Sequence, residues 1–300
     1  MTIRAIWRGE AGYPAALNDL PAPPRQLFAM GDLRLLEAGR ARTVAIVGTR
    51  GASPYAVRVS AALGRAFAEA GVAVVSGLAR GVDSAAHTGA LEAGGATIAV
   101  MGTGVDVPYP AGHRGLHARI VANGLVLSES QPGTAAFPGC FPRRNRLIAA
   151  LADLTIVVEA PHKSGALNTA SQALELGRGV AAVPGLIDDP RSAGSNGLLR
   201  DGAQVVASVD DALAMMRVYR KTTHHFSDAQ DGSPVLDVLR RGPATADQIS
   251  EAANVSPGEL LATVSRLQML GLVVADGGRF HLAAGVSVAS VHSESAMSGG

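Results

Sequence analysis

Three runs between residues 43 and 102 decide the fold: TVAIVG (43–48), VAVVSG (72–77) and ATIAVMG (96–102). Each is apolar almost throughout and closes on glycine. A strand with no polar face is covered on both sides, as in a parallel sheet between helix layers. Between the first two runs, Val57, Ala61, Leu63, Phe67 and Ala70 recur near helical spacing, and Gly71 stands where a helix ends on glycine. A second helix is expected over about 83–93, with Asp83 as its cap. Working outward, a helix near 113–122 leads to LVLS (125–128) and one over 142–151 to LTIVVEA (154–160). A helix over 164–177 leads to VAAVPG (180–185) and then QVVAS (204–208). The expected class is α/β: an extended Rossmann-like, mainly parallel sheet with helices on both faces.

The expected organisation is a Pro-rich extended lead-in with one small helix (1–42), the Rossmann-like domain (43–220) and a linker (221–230). Three short helical patterns and a strand–DGG–strand hairpin then fill 231–283, the winged-helix arrangement. Thr245 and Ser256 are the expected caps of its second and third helices, with Pro257 and Glu259 completing the third helix start. The small, polar tail (284–300) is expected to be disordered.

Hydrophobic residues make up 47% of the 300, which excludes a disordered chain. The 26 basic and 25 acidic residues nearly cancel, so any polyanion site must be a local patch. A single cysteine, Cys140, excludes an intrachain disulfide and Cys-cluster metal sites and suits a reducing compartment. No apolar run approaches the roughly 20 residues of a membrane helix, and the opening MTIRAIWRGEAGYP has no signal-peptide core. A cytoplasmic protein without membrane contact is expected.

The local patch lies at the strand ends. VGTRGASPY (47–55) offers Gly48, Thr49 and Arg50 at the start of a helix; it is neither GxGxxG nor a Walker A loop. SGLARGVDSAAH (76–87) offers Ser76, Gly77 and Arg80, and GTGVDVPYP (102–110) holds Tyr109 between prolines, placed to stack on a base. Arg114 follows in HRGLH (113–117). FPRRNR (141–146) concentrates Arg143, Arg144 and Arg146, with Asn145 either in the site or latching a loop. Lys163, Ser164 and Gly165 open a further helix. Any one of these also reads, less favourably, as a solvated side chain or a tight turn. In a parallel sheet, however, the loops converge on one rim, which makes a basic edge shaped for a string of phosphates.

Other pairings carry less. Asp83 and His87 share a helix face and read better as a structural bond than as a dyad. His113 and His117 have metal-pair spacing but no third ligand. Glu159 at a strand end has no partner for acid–base work. No catalytic residue, metal or cofactor is expected.

These same blocks resemble the DprA/Smf family of DNA-processing proteins. The resemblance rests on VAIVGTRGASPY, VVSGLARGVDSAAHTGALEAGGATIAVMGTGVDVPYP, LVLSE, FPRRNRLIAAL, VVEAPHKSGALNTA and VPG, in order, over about 13–211. It implies a protein that binds single-stranded DNA, protects it during DNA uptake and loads the RecA recombinase in natural transformation, as a homodimer and not as an enzyme. By motif it assigns Arg50, Arg114, Arg144 and Arg146 to DNA; His113 stands where asparagine is usual. The helical domain that opens many members is expected to be missing here or reduced to a stub. A second resemblance, to the LOG phosphoribohydrolases, would make the chain a nucleotide-processing enzyme. That family's PGGxGTxxE block is replaced here by SGALNTASQALE.

The expected winged helix is poor in charge for a duplex reader. Its third helix carries only Arg266 and its wing only Arg279, while Glu259 sits where a phosphate would lie. A protein-contact or regulatory module is expected there.

Overall fold

The structure, a computed structural model, describes residues 2–37, 42–218, 233–269 and 272–282. The chain divides into two compact units, Met1–Arg220 and Lys221–Gly300. The expected linker and tail lie outside the described residues.

In the first unit, the strands β1 (Arg4–Trp7), β2 (Gln26–Gly31), β3 (Thr43–Val47), β4 (Ala73–Ser76), β5 (Thr97–Met101), β6 (Leu125–Ser128), β7 (Leu154–Val157), β8 (Gly179–Ala182) and β9 (Gln204–Val205) form one sheet. Its order is β1-β2-β6-β5-β4-β3-β7-β8-β9. From β6 to β9 every pairing is parallel. β4 through β7 are fully buried, which is why their sequences show no polar alternation.

Helices α1 (Pro54–Glu69), α2 (Val82–Glu92), α3 (Arg114–Asn123), α4 (Cys140–Leu151), α5 (Gly165–Glu175), α6 (Ala193–Arg200) and α7 (Val209–Met215) link the strands. Leu63 and Phe67 of α1, Ala86 of α2 and Leu213 of α7 pack on Val44, Ile46 and Ile156 from one side of the sheet. Leu147 of α4 and Ala170 of α5 pack on Ala45, Val47 and Val100 from the other. The expected fold class is therefore borne out: a mainly parallel sheet with helices on both faces.

The chain builds outward from β3 to β6, then returns to place β7 against the opposite side of β3. The switch point lies between β3 and β7, where α/β sheets open a crevice beyond their strand ends.

The lead-in expectation needs correction. Residues 1–42 are not a separate extended segment, because β2 pairs antiparallel with β6 and β1 with β2. Leu27 and Ala29 bury alternately against the sheet with Ile6 and Leu17. In place of one small helix there are 3-10 turns at Ala15–Asp19 and Leu33–Leu36.

In the second unit, α8 (Pro234–Arg240), α9 (Ala246–Ala253) and α10 (Pro257–Met269) precede a hairpin of β10 (Val273–Asp276) and β11 (Arg279–Leu282). Gly277 and Gly278 both hold positive φ, the backbone a two-residue hairpin turn demands. Thr245 and Gln248 form a capping box at α9, and Ser256 and Glu259 exchange bonds at the start of α10. Val235, Leu239, Ile249, Leu260, Val264 and Leu267 make a core of their own.

Candidate nucleic-acid interface

The loops after β3, β4, β5 and β7 meet at the C-terminal rim of the sheet, around two adjoining clefts. The first, about 420 Å³, is walled by Arg50, Gly77, Arg80, Tyr109, His113, Phe141 and Arg144. The second, about 380 Å³, lies at the switch point and is walled by Gly48, Thr49, Asn145, Lys163, Ser164 and Gly165. Arg50, Phe141 and Arg144 border both.

Glycine fixes the first loop. A Cβ on Gly48 would come within 2.5 Å of Val82 Cγ2 and 2.8 Å of the Glu159 carbonyl oxygen. The Thr49 amide donates to that same carbonyl at 2.7 Å. Ser53 caps α1, and its amide and hydroxyl both donate to the Glu159 carboxylate, at 2.9 and 2.7 Å. Glu159 is thus a buried clamp on the loop after β3 rather than an acid–base group. Arg50 is left exposed on the rim, its guanidinium 5.0 Å from the Phe141 ring centre.

The second loop turns through Leu78 and Gly81, both at positive φ. Asp83 does not cap α2, as the sequence had implied; Gly81 occupies the cap position. Its buried carboxylate instead accepts from the amides of Gly77 at 3.0 Å and Ala79 at 3.4 Å, which holds the loop's shape. Burial raises the Asp83 pKa, and Arg144 opposes that rise. Arg80 projects from the same loop into solvent. Ser76 faces inward: it is fully buried, donates to the Ile46 carbonyl at 2.7 Å and reaches neither cleft. Its expected place in the site is corrected accordingly.

The FPRRNR block separates into different roles. Arg144 is 6% exposed, and its Nη1 donates to the Val100 carbonyl at 2.6 Å. Its guanidinium lies against Gly77, where any Cβ would collide with it. Burial lowers its pKa and Asp83 raises it again, but a guanidinium keeps its proton in proteins. Arg144 is therefore a fixed positive charge in the floor of both clefts, not the exposed contact the block implied.

Arg143 and Arg146 lie against Glu129, at 2.9 and 2.6 Å, and Arg146 also donates to the Ala22 carbonyl at 2.8 Å. Neither borders the two clefts; they tie α4 to the end of β6 and to the N-terminal segment. Asn145 is a latch: its amide donates to the Gly165 carbonyl at 3.1 Å and the Asn168 side chain at 3.4 Å. Ser164 caps α5 through the Ala166 amide, with Lys163 exposed beside it.

Arg114 starts α3, exposed but outside both clefts, whereas its neighbour His113 stands on the wall of the first. The histidine pair does not converge on a metal. His113 Nδ1 bonds to the Leu78 carbonyl at 2.9 Å and His117 Nε2 to the Val105 carbonyl at 2.7 Å. Among the described residues no cluster of His, Cys, Asp or Glu could hold a metal ion. His87 is buried and bonds to Thr97 at 2.6 Å, and burial pushes its pKa down to about 3. It is a structural histidine, as the sequence favoured.

Phe141 was missed by the sequence reading. Its ring centre lies 5.1 Å from that of half-exposed Tyr109, at 34° between planes, so the two form an aromatic ledge under Arg50. The available signal was an aromatic beside the arginine block in a chain with only 4% aromatics.

Arg50, Arg80 and Lys163 join no ion pair among the described residues. Exposed cations, an aromatic ledge and a helix start thus stand together on the rim of a Rossmann-like, mainly parallel sheet. The chain belongs to the DNA recombination-mediator protein A family, whose model matches residues 4–217, with a DprA winged-helix domain matched over 221–279. The family read from the motifs is thereby borne out.

A putative DNA processing protein DprA of Mycobacterium tuberculosis is 40% identical over 275 residues, 86% of this chain and 69% of that one. The DprA of Streptococcus pneumoniae is 43% identical over 202 residues, 67% of this chain and 70% of its own. Its X-ray structure superposes with a TM-score of 0.67 at 41% identity, covering 71% of this chain and 74% of that one. DNA processing protein A from Helicobacter pylori, described for its single-stranded DNA binding mode, gives a TM-score of 0.65 at 32% identity, covering 72% of this chain and 95% of that one. Among the described residues no helix is long and apolar enough to cross a membrane.

Proposed function

We propose that the rim binds single-stranded DNA, and that the protein is a recombination mediator. One observation carries the reading: Arg50, Arg80 and Lys163, with no ion pair among the described residues, stand around two adjoining clefts that share an aromatic ledge. Phosphates seat on the cations and on the start of α5, while a base stacks on Tyr109 or Phe141. Among the described residues of the first cleft none is acidic, and in the second Asp83 faces the fixed charge of Arg144. Phosphate seats and stacking rings carry no base-edge code, so binding is independent of sequence and prefers single strands.

Family membership supports the wider role: a cytoplasmic homodimer that protects incoming strands and loads RecA recombinase in natural transformation. The role contains no catalytic step. Two groups with acid–base chemistry near the rim loops, Glu159 and His87, hold Ser53 and Thr97 instead.

The test is fluorescence anisotropy of the full chain with a labelled oligo-dT and with blunt duplex of the same length, at moderate salt. Much tighter binding of the single strand is expected. Equal affinity for the two would overturn the reading.

A further inference from the structure

We infer that His113 is a proton-dependent phosphate ligand of the first cleft, so that single-stranded DNA binding takes up a proton at its Nε2. This rests on the rim being the DNA site and adds a residue to it. His113 ends the turn Ala111–His113 and stands on the cleft wall with Arg80 and Tyr109. Its Nδ1 lies 2.9 Å from the Leu78 carbonyl oxygen. A carbonyl only accepts, so Nδ1 carries the hydrogen and the neutral ring has a bare lone pair at Nε2. Unlike His87 and His117, which are buried and face other parts of the fold, His113 borders the cleft.

A phosphate oxygen is also an acceptor, so a bare Nε2 repels it. A proton taken from solvent turns Nε2 into the donor of a charge-assisted hydrogen bond. The groups around His113 are Arg80 and the Leu78 carbonyl from the β4 loop, Tyr109 from its own segment, Phe141 and Arg144 from α4, and Arg50 across the cleft. His87 of α2 also interacts with it electrostatically, and Arg114 adjoins it in the chain. Asp83 borders the neighbouring cleft, under the loop. A phosphodiester in the cleft places a negative charge beside the ring, so strand binding and protonation at Nε2 favour each other. By linkage, the added affinity is fully present at low pH and is lost as pH rises through the titration of the complex.

The test uses the full chain and a labelled oligo-dT, whose bases do not titrate near neutrality. Affinity is measured between about pH 5.5 and 8.5 at constant ionic strength. The wild type should tighten about ten-fold from about pH 8 to pH 6. In His113→Asn the amide nitrogen falls near the position of Nδ1, so the bond to Leu78 is kept without a titrating group. That variant should match the wild type at high pH and stay flat. His162→Asn, which removes the exposed histidine beside Lys163, should keep the wild-type slope. Calorimetry of the wild type near pH 7 in two buffers of different ionisation heat should show net proton uptake, a readout that needs no variant. A flat wild-type profile with intact binding, no proton uptake, or an equal slope in His113→Asn would overturn the inference. Folded wild type that binds no oligonucleotide at any pH would instead remove the DNA site itself, and this inference with it.

Discussion

Replacing Arg50 with alanine removes what is, among the described residues, the one exposed cation that borders both clefts. Two interactions go with it. A charge-assisted contact to phosphate, lost with its surroundings intact, is worth about 1.5–3 kcal/mol. The guanidinium–ring contact with Phe141, at 5.0 Å, adds about 0.5–1 kcal/mol at an exposed site, part of which is already present in the free protein. Arg50→Ala should therefore weaken oligo-dT binding by about 1.5–3 kcal/mol, or roughly ten- to hundred-fold. The slope of log K against log salt should fall by about 0.7, the value for one phosphate on a single strand. Arg143→Ala is the matched control. It is also an exposed arginine of the rim, but Glu129 holds it at 2.9 Å and it borders neither cleft. Its affinity should change by less than about two-fold. Arg50→Lys keeps the charge without the planar face, so it should retain the salt slope with intermediate affinity. Anisotropy titrations at several salt concentrations, with circular dichroism to show the fold, decide the matter. Wild-type affinity in Arg50→Ala, or an equal loss in Arg143→Ala, would refute the reasoning.

Other expectations concern the scaffold. With its pKa pushed down to about 3, His87 stays neutral in the fold while the unfolded chain takes up a proton below about pH 6.5. Its contribution is thus complete above that pH, and acidification toward pH 3 costs up to about 1.4 kcal/mol per unit. Denaturant titrations at a series of pH values should show a flatter acid limb in His87→Gln, and an unchanged limb would count against the assignment. Gly48→Ala forces a Cβ to 2.5 Å from Val82 Cγ2, and unfolding midpoints should show a loss of about 1–3 kcal/mol. Arg144→Met leaves Asp83 buried without its cation and the Val100 carbonyl without its donor; a stability loss of about 3 kcal/mol is expected by the same measurement. The 231–283 segment alone should bind random duplex more weakly than about 1 μM at near-physiological salt, because Glu259 and Asp247 occupy the helix starts where phosphates would sit. Sub-micromolar binding would reverse that expectation.

The parallel strands were legible because burial on both faces leaves unbroken apolar runs, and the rim followed because every such run ends in a small residue. The N-terminal strands were not. RAIW and QLFAMG are short, flank a Pro-rich stretch and sit at the antiparallel side of the sheet, so neither apolar continuity nor clean alternation marks them. The arginine block misled for a helical reason. Successive residues of α4 point about 100° apart, so letters that read as one patch face three environments. Arg144 turns into the floor, Arg143 and Arg146 turn toward Glu129, and Asn145 turns to α5. Phe141 carried no periodic signal, since one aromatic has no repeat to belong to; its meaning came only when the fold set it against Tyr109 and Arg50. Ser76 looked like a loop residue at a strand end, yet its hydroxyl satisfies a carbonyl of the neighbouring strand.

The most direct test is photo-crosslinking of the full chain to an oligo-dT bearing a photoreactive thymine analogue, with the attached residue located by mass spectrometry. The account predicts attachment at Tyr109 or Phe141, competed away by unlabelled single strand and lost in Arg50→Ala. Attachment confined to exposed Trp7 or to the winged-helix unit, with the rim unmarked, would contradict it.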